Sequence, residues 1–219
     1  GNAGTEGAPS GTMGQRGGAG AVQSALVIDT RSLSSGATIE LHNVEFAAVI
    51  GAATVTGGTG SQHVWGDGAS QTIFLGADDD VLHGGAGDDI VGSAGGNDMI
   101  YGDEGNDLVF GGEGDDYLHG GAGRDTARFA GRSDGYSLRL KNGQLVVTDR
   151  VGNEGVDTVV AVETLRFTGG QSLAIDAVLA RLYEGLLHRP ASSAEIAFWQ
   201  EMHGRGVSMH DIAAAMIAS

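Results

Sequence analysis

The sequence predicts a mainly β protein organised around a parallel β-roll (a β-solenoid), with flanking β caps and a small C-terminal α-helical segment. The main observation is an uninterrupted run of nine-residue units over residues 57–128. Aspartate occupies the sixth position of the last six units, and an apolar residue occupies the eighth position of all eight. The units read GGTGSQHVW, GDGASQTIF, LGADDDVLH, GGAGDDIVG, SAGGNDMIY, GDEGNDLVF, GGEGDDYLH and GGAGRDTAR. Because the two features keep the same period, ordinary Gly-Asp turns are the weaker explanation.

Composition narrows the function classes before any residue is given a role. The 219 residues carry a net charge of −16, with 40 glycines and no cysteine. This charge argues against a nucleic-acid partner, because too few cationic side chains would face the phosphates. The lack of cysteine excludes disulfides and thiolate metal sites, and no apolar run is long enough for a membrane span. The acidic balance favours cations as partners, or simply solubility.

Two segments precede the repeats. Residues 1–20 are glycine-rich, polar and aperiodic, which is typical of a linker. Residues 21–56 contain strand-like runs, such as SALVIDT and TIELHNVEFAAVIG, broken by Gly and Ser. We expect them to form an N-terminal β cap, because a solenoid needs the end of its core and its open sheet edge covered.

Each nonapeptide of residues 57–128 divides into a six-residue loop and a three-residue strand. The loop residues are turn formers that reach positive φ, and the eighth residue of the unit points inward from the strand. Two units therefore make one coil, and stacked coils form two parallel sheets around a thin apolar core. The loops stack in two columns, one with Asp80, Asp98 and Asp116 and the other with Asp89, Asp107 and Asp125.

Stacked aspartates at this spacing predict bound calcium. Successive coils lie about 4.8 Å apart, so their carboxylates repel unless a cation lies between them. Calcium takes oxygen ligands at about 2.3–2.6 Å and fits between two loops, with glycine carbonyls completing its shell, whereas magnesium requires a stricter octahedron. The predicted ligands are Asp80, Asp89, Asp98, Asp107, Asp116 and Asp125, with Gly84, Gly87, Gly102, Gly105, Gly111, Gly114, Gly120 and Gly123.

The number of sites follows from the aspartate pairs that are complete. About four well-formed sites are expected, with weaker ones at the ends, at the pairs Asp80/Asp98, Asp98/Asp116, Asp89/Asp107 and Asp107/Asp125. Asp98 and Asp107 should each bind two ions. The first two units have Gln62 and Gln71 in place of aspartate, so they should continue the solenoid without good ion sites.

Two further segments follow the repeats. Residues 129–175 are expected to form a C-terminal β flank, because YSLRLKNGQLVVTDR alternates on both sides of Asn142-Gly143, which is a strong hairpin signal. Residues 176–219 have a helical character. One apolar period ends at Pro190, a second stretch runs from a Ser cap to Gly204, and a third follows it.

The nonapeptides GGAGDDIVG, GGEGDDYLH and GGAGRDTAR resemble the glycine-rich repeats of the RTX (repeats-in-toxin, hemolysin-type) family. The resemblance covers residues 57–128 and implies a calcium-bound parallel β-roll in the C-terminal region of a protein exported by a type I secretion system. Residues 176–219 resemble a helical domain of unknown function that accompanies secreted repeat proteins. On that interpretation, which we favour, the chain is truncated inside the helical domain. The alternative is that DIAAAMIAS is a native C-terminus similar to some type I export signals.

We expect a calcium-binding module rather than an enzyme, because no G-x-S-x-G, P-loop or H-E-x-x-H spacing is present. It would be secreted, to the extracellular space or the cell surface, and would fold on calcium after leaving the type I secretion machinery. Two alternatives stay open. One is a segment of a calcium-dependent surface adhesin or surface-layer protein with cell-surface or polysaccharide partners, for which the candidate contact residues are Trp65, Phe74, Tyr101 and Phe110. The other is an accessory module of a secreted enzyme whose catalytic domain lies outside this chain.

Overall fold

The fold is seen in a computed structural model, which describes residues 26–34, 36–141, 144–174 and 189–204. Short strands account for most of the regular structure. Their bounds are Leu26–Asp29 (β1), Thr38–Glu40 (β2), Phe46–Ile50 (β3), Thr54–Thr56 (β4), His63–Trp65 (β5), Thr72–Phe74 (β6), Val81–Ala86 (β7), Ile90–Gly92 (β8), Met99–Glu104 (β9), Leu108–Phe110 (β10), Tyr117–Ala122 (β11), Thr126–Arg128 (β12), Tyr136–Lys141 (β13), Gln144–Asp149 (β14), Val156–Val160 (β15), Thr164–Arg166 (β16) and Ser172–Ala174 (β17). A 3-10 turn spans Ser133–Gly135, and an α-helix, α1, spans Ser193–Gly204.

The chain alternates between two sheets as it winds. The first is nine-stranded, with the order β1-β3-β5-β7-β9-β11-β15-β14-β13, and the second is eight-stranded, with the order β17-β16-β12-β10-β8-β6-β4-β2. Pairing is parallel from β1 to β15 in the first sheet and from β2 to β16 in the second. It becomes antiparallel for β14, β13 and β17 at one end. The predicted fold class, a mainly β parallel solenoid, is confirmed.

The strand registers show where the coil length is constant. Within the repeats, Val81 pairs with Met99, which is 18 residues further along the chain. The hydrogen bonds between stacked loops join residues at the same separation, as between Asp80 and Asp98. Before the repeats the separation varies, and Leu26 pairs with Ala47. Residues 26–56 thus supply strands that extend both parallel ladders, although the loops between them differ in length from those of the repeats.

A thin apolar core lies between the sheets. The eighth-position side chains form a continuous row in which none is more than 1% exposed, namely Val64, Ile73, Leu82, Val91, Ile100, Val109, Leu118 and Ala127. Full burial of a Val, Leu or Ile side chain contributes about 1.5–3 kcal/mol. This row therefore contributes stacking energy that needs no metal, and the inward orientation predicted for the eighth position is confirmed.

A β-hairpin and a cluster of rings follow the last repeat. β13 and β14 pair in antiparallel fashion with Lys141 opposite Gln144, which confirms the predicted hairpin. The rings of Phe129, Tyr136 and Phe167 pack against one another with centroids 5.1–5.5 Å apart. All three residues belong to the same buried cluster as the eighth-position row, so they extend the core beyond the repeats.

Helix α1 has the predicted boundaries. The Oγ atom of Ser192 accepts a hydrogen bond from the Glu195 backbone N–H at 3.3 Å, and the Glu195 carboxylate accepts one from the Ser192 N–H at 2.8 Å. This reciprocal pair is a capping box. Trp199 of the helix is 9% exposed and belongs to the core cluster. No helix in the described ranges is long and apolar enough to cross a membrane.

Some of the predictions concern other parts of the chain. The linker predicted at 1–20 and the Asn142-Gly143 turn lie outside the described residues. So do the helical sequence predicted after α1 and most of the helical sequence predicted before it.

Candidate metal centre

The six repeat aspartates are buried between the stacked loops. Their exposed fractions are only 1–3%, for Asp80, Asp89, Asp98, Asp107, Asp116 and Asp125. The parallel registers place them in the two predicted columns, since equivalent residues of β7, β9 and β11, and of β8, β10 and β12, are paired. Burial of a charged carboxylate is costly unless an opposite charge accompanies it. The columns are therefore the part of the molecule to test for a metal.

One oxygen of each carboxylate is used by the protein itself. The backbone N–H of Asp80 donates to Oδ1 of Asp98 at 2.7 Å, and the N–H of Asp98 donates to Oδ1 of Asp116 at 2.8 Å. The second column repeats this pattern at 2.8 Å. The backbone of the preceding coil therefore fixes the orientation of each side chain in the folded stack.

The other oxygen has no such partner. In the part of the chain that the structure describes, the Oδ2 atom is buried without a hydrogen bond in Asp89, Asp98, Asp107, Asp116 and Asp125. In the remaining repeat aspartate, Asp80, Oδ2 accepts a hydrogen bond from Ser93 Oγ at 3.4 Å. A buried acceptor left unpaired costs about 1–3 kcal/mol, and more when it is charged. These unpaired oxygens are the atoms that a cation would contact.

Burial also changes the protonation of these carboxyls. Loss of hydration raises the pKa of Asp89, Asp98 and Asp125 to about 7, and raises the pKa of Asp107 and Asp116 to about 6. The hydrogen bond from the preceding coil opposes each increase in pKa, whereas nearby carboxylates add to it. A bound cation would favour the ionised form and reverse this tendency.

The predicted glycines shape the loops around the carboxylates. At the first position of a unit, a Cβ on Gly84, Gly102 or Gly120 would meet both the Oδ2 atom of its own unit and a carbonyl oxygen of the next coil. A Cβ on Gly111 would overlap the carboxylate of Asp116. The fourth-position glycines have φ between 112° and 150°, a region that favours glycine, at Gly87, Gly105, Gly114 and Gly123. The missing Cβ atoms thus leave space bounded by oxygen atoms.

The chemistry of this space suits a hard cation. The described residues contain no group of three or more His, Cys, Asp or Glu side chains that could hold a metal by themselves. A cation between two loops would therefore need backbone carbonyls in addition to carboxylates, which is the ligand set that the sequence predicts. Calcium accepts such mixed oxygen ligands in flexible geometry, so the donor set fits this ion.

Gln62 and Gln71 occupy the aspartate position at the N-terminal end of the columns, and both are buried. The Nε2 atom of Gln62 donates to the carbonyl oxygen of Val44 at 2.9 Å, and that of Gln71 donates to the carbonyl oxygen of Gly51 at 3.2 Å. An amide brings its own donor, so it satisfies these carbonyls without a cation. This geometry supports the expectation of no good ion site at Gln62, whose Oε1 also accepts the N–H of Gly58, whereas Oε1 of Gln71 is buried without a hydrogen bond from any described residue.

Two further carboxylates, which sequence analysis did not select, continue the columns at the other end. The N–H of Asp116 donates to Oδ1 of Asp157 at 3.0 Å, and the N–H of Asp125 donates to Oε2 of Glu163 at 2.7 Å. A signal for Asp157 exists, because residues 152–160 read GNEGVDTVV and so keep glycine at positions one and four, aspartate at six and valine at eight. The intervening hairpin breaks the nine-residue phase and conceals it.

The predicted aromatic contact residues divide between the two sheets. The rings of Trp65 and Tyr101, in the nine-stranded sheet, stack on either side of His83, with centroids 6.2 and 4.4 Å from it. Phe74 and Phe110, in the eight-stranded sheet, contact each other at 5.4 Å. The four rings therefore do not form one flat face, and the stacked rings turn their faces toward one another.

Comparisons with known proteins agree with this repeat geometry. The family model for the RTX calcium-binding nonapeptide repeat (4 copies) matches residues 56–91, 65–100 and 93–127. No curated protein and no solved structure matches the chain. The matched segment contains the six buried aspartates and the glycines that surround them. Residues 56–127 are therefore RTX repeats, the calcium-binding nonapeptides of the RTX family, stacked here as a parallel β-roll.

Proposed function

We propose that the chain is a calcium-dependent structural module of a secreted protein, and that its roll folds when calcium binds outside the cell after type I export. The observation that carries the proposal is the pair of columns of buried carboxylates, in which most Oδ2 atoms lack a partner among the described residues. The proposed ligands are the six repeat aspartates and the carbonyls of the eight predicted glycines. They would form about four sites, one between each pair of repeat aspartates one coil apart.

Charge explains why folding would depend on calcium. Residues 78–125 contain eleven aspartates and two glutamates, against one arginine, Arg124, and no lysine. Without a cation these charges repel in the folded stack, and the many glycines lose conformational entropy on ordering. A hundredfold excess of calcium over the dissociation constant would add about 2.7 kcal/mol per site. Several coupled sites would then suffice to switch a domain whose total stability is about 5–15 kcal/mol.

The same dependence suits secretion. Proteins with RTX repeats are typically secreted. A chain that stays unfolded where calcium is scarce can pass a narrow channel, and calcium outside the cell would then load sites with dissociation constants of about 10⁻⁴–10⁻³ M. Export and folding would thus be ordered in time by the calcium concentration on the two sides of the membrane.

A calcium titration tests the proposal. Chelator-treated full chain is titrated with calcium while far-UV circular dichroism is recorded, and magnesium serves as the control ion. We expect a cooperative gain of β signal at roughly submillimolar to millimolar calcium, and no such gain with magnesium. A spectrum with full β content in excess chelator at pH 8 would contradict folding coupled to calcium.

A segment of a calcium-dependent adhesin or surface-layer protein is the second candidate. It is favoured by Trp65, which is 39% exposed beside the stacked rings of a regular solenoid. Retention of the calcium-loaded chain on immobilised polysaccharides, with Trp65→Ala as the comparison, tests this function. An accessory module of a secreted enzyme is the third candidate, and the full reading frame of the parent gene decides whether a catalytic domain accompanies the roll.

A further inference from the structure

Both carboxylate columns extend beyond the repeats, across a hairpin that interrupts the winding. β15 pairs with β11, so that Thr158 lies beside Tyr117 and Asp157 occupies the place of the next repeat aspartate. Asp157 is 3% exposed. The N–H of Asp116 donates to its Oδ1 atom over a separation of 41 residues, where the repeats have 18. The side chain therefore takes the repeat orientation although the chain has made a detour.

The second column is completed by a different residue type. β16 pairs with β12, and the N–H of Asp125 donates to the carboxylate of Glu163 at 2.7 Å. The loop before Glu163 is short, and Ala161 within it has a φ of 48°, in the left-handed region that the fourth-position glycines of the repeats also adopt. The carbonyl oxygen of Ala161 accepts the N–H of Gly121 at 3.2 Å. Glutamate is one methylene longer than aspartate, which compensates for the altered loop.

Unsatisfied oxygens remain at this end of the stack. The Oδ2 atoms of Asp116 and Asp125 are buried and accept no hydrogen bond from any described residue. The space that a Cβ on Gly120 would fill is bounded by Asp125 Oδ2 and by the carbonyl oxygen of Ala161. Neither these aspartates nor Asp157 and Glu163 form an ion pair with a basic side chain of the described ranges. Negative charge is therefore concentrated here without a basic side chain in ion-pair contact, although Arg124 interacts with Glu163 at longer range.

We propose that Asp157 and Glu163 each complete an additional calcium site, between Asp116 and Asp157 in one column and between Asp125 and Glu163 in the other. Both sites lie partly outside the matched repeats and join strands from beyond the hairpin to the roll. The donor set consists of carboxylate and carbonyl oxygens, which suits calcium better than a softer metal. The inference rests on the proposed calcium binding of the repeats and assigns two more residues to it.

Counting bound ions tests the inference in the full chain. Native mass spectrometry at saturating calcium gives the number of ions per molecule, and isothermal titration calorimetry provides an independent stoichiometry. The variants are Asp157→Asn and Glu163→Gln, which keep the oxygen that accepts the backbone hydrogen bond but lose the charge. Asp134→Asn is the matched control, because its carboxylate is 75% exposed and lies outside the columns.

We expect each variant to bind one calcium ion fewer than the unaltered chain, and the control to bind the full number. Full occupancy in both variants would overturn the inference while leaving the proposed function intact. Failure of the unaltered chain to bind calcium would overturn both. If Asp157→Asn unfolds and loses all its ions, the Glu163→Gln variant in the other column decides. A deficit of one calcium ion in that variant supports the inference, and no deficit overturns it.

Discussion

Without calcium, the roll should be more stable in mild acid than at pH 8. Burial raises the pKa of Asp98 to about 7 and that of Asp107 to about 6, from a usual value of 3.8. A carboxyl whose pKa is higher in the folded chain than in the unfolded chain stabilises the fold while it is protonated. This contribution is fully present below the pKa of the unfolded chain, and it is lost as the pH rises through the pKa of the folded chain. The increase is about 3 pKa units for Asp98 and about 2 units for Asp107, and each unit corresponds to about 1.4 kcal/mol. Ionisation of these two carboxyls therefore disfavours the metal-free fold at pH 8 by about 7 kcal/mol, relative to acid in which both stay protonated, and this rivals the stability of a whole domain.

The assay is far-UV circular dichroism in excess chelator between pH 5.5 and pH 8, a range that stays above the isoelectric point of about 4.5. We expect the β signal to fall as the pH rises through 6 to 7, where the buried carboxyls ionise. Saturating calcium should remove this dependence, because the cation takes the place of the protons. Equal β content at both limits without calcium, or a signal that falls with decreasing pH, would refute the reasoning.

Substitutions in the repeats distinguish the residues that bind calcium from those that only support the fold. Asp98→Ala should raise the calcium concentration at the folding midpoint by roughly tenfold, equivalent to about 1.4 kcal/mol, whereas Glu104→Gln, at an exposed carboxylate of the roll, should leave it unchanged in the same titration. Gly111→Ala should destabilise the calcium-loaded roll by about 1–3 kcal/mol in thermal unfolding, because its Cβ overlaps a ligand carboxylate. Gly68→Ala, with no atom within 4 Å of its Cβ, is the control and should unfold normally. Gln62→Leu should cost about 1–3 kcal/mol in urea unfolding, since it leaves the partly buried N–H of Gly58 and carbonyl of Val44 unpaired, and mass spectrometry should find the calcium count unchanged.

The fold of the repeat region was predictable because each nine-residue unit carries the same short sequence pattern. An aspartate such as Asp98 and the apolar Ile100 two positions later recur with one period, and this period alone specifies two sheets, an inward row and two columns of loops. The hydrogen bond from each backbone N–H to the next aspartate was not predicted. It depends on the three-dimensional stacking of loops, which no single nonapeptide encodes.

The ends of the roll were harder to predict for the same reason. Residues 26–56 join both ladders with loops of irregular length, so a fixed period cannot find their register. Asp157 keeps the nonapeptide pattern but lies out of phase after the hairpin. Glu163 has no pattern of its own, and only its place beside Asp125 in the folded chain shows its position in the column.

The return of β15 to the stack after the hairpin shows that the coils can stay stacked even where the chain does not wind continuously from one coil to the next. The roll accepts a detour between Arg128 and Val156 and then resumes with its core row and both columns in place. What the re-entering segment must supply is a strand with one inward apolar side chain and an acidic residue two positions before it. The junction after β12 therefore tolerates an inserted segment, because the hairpin strands pair beyond β15 and leave β15 adjacent to β11.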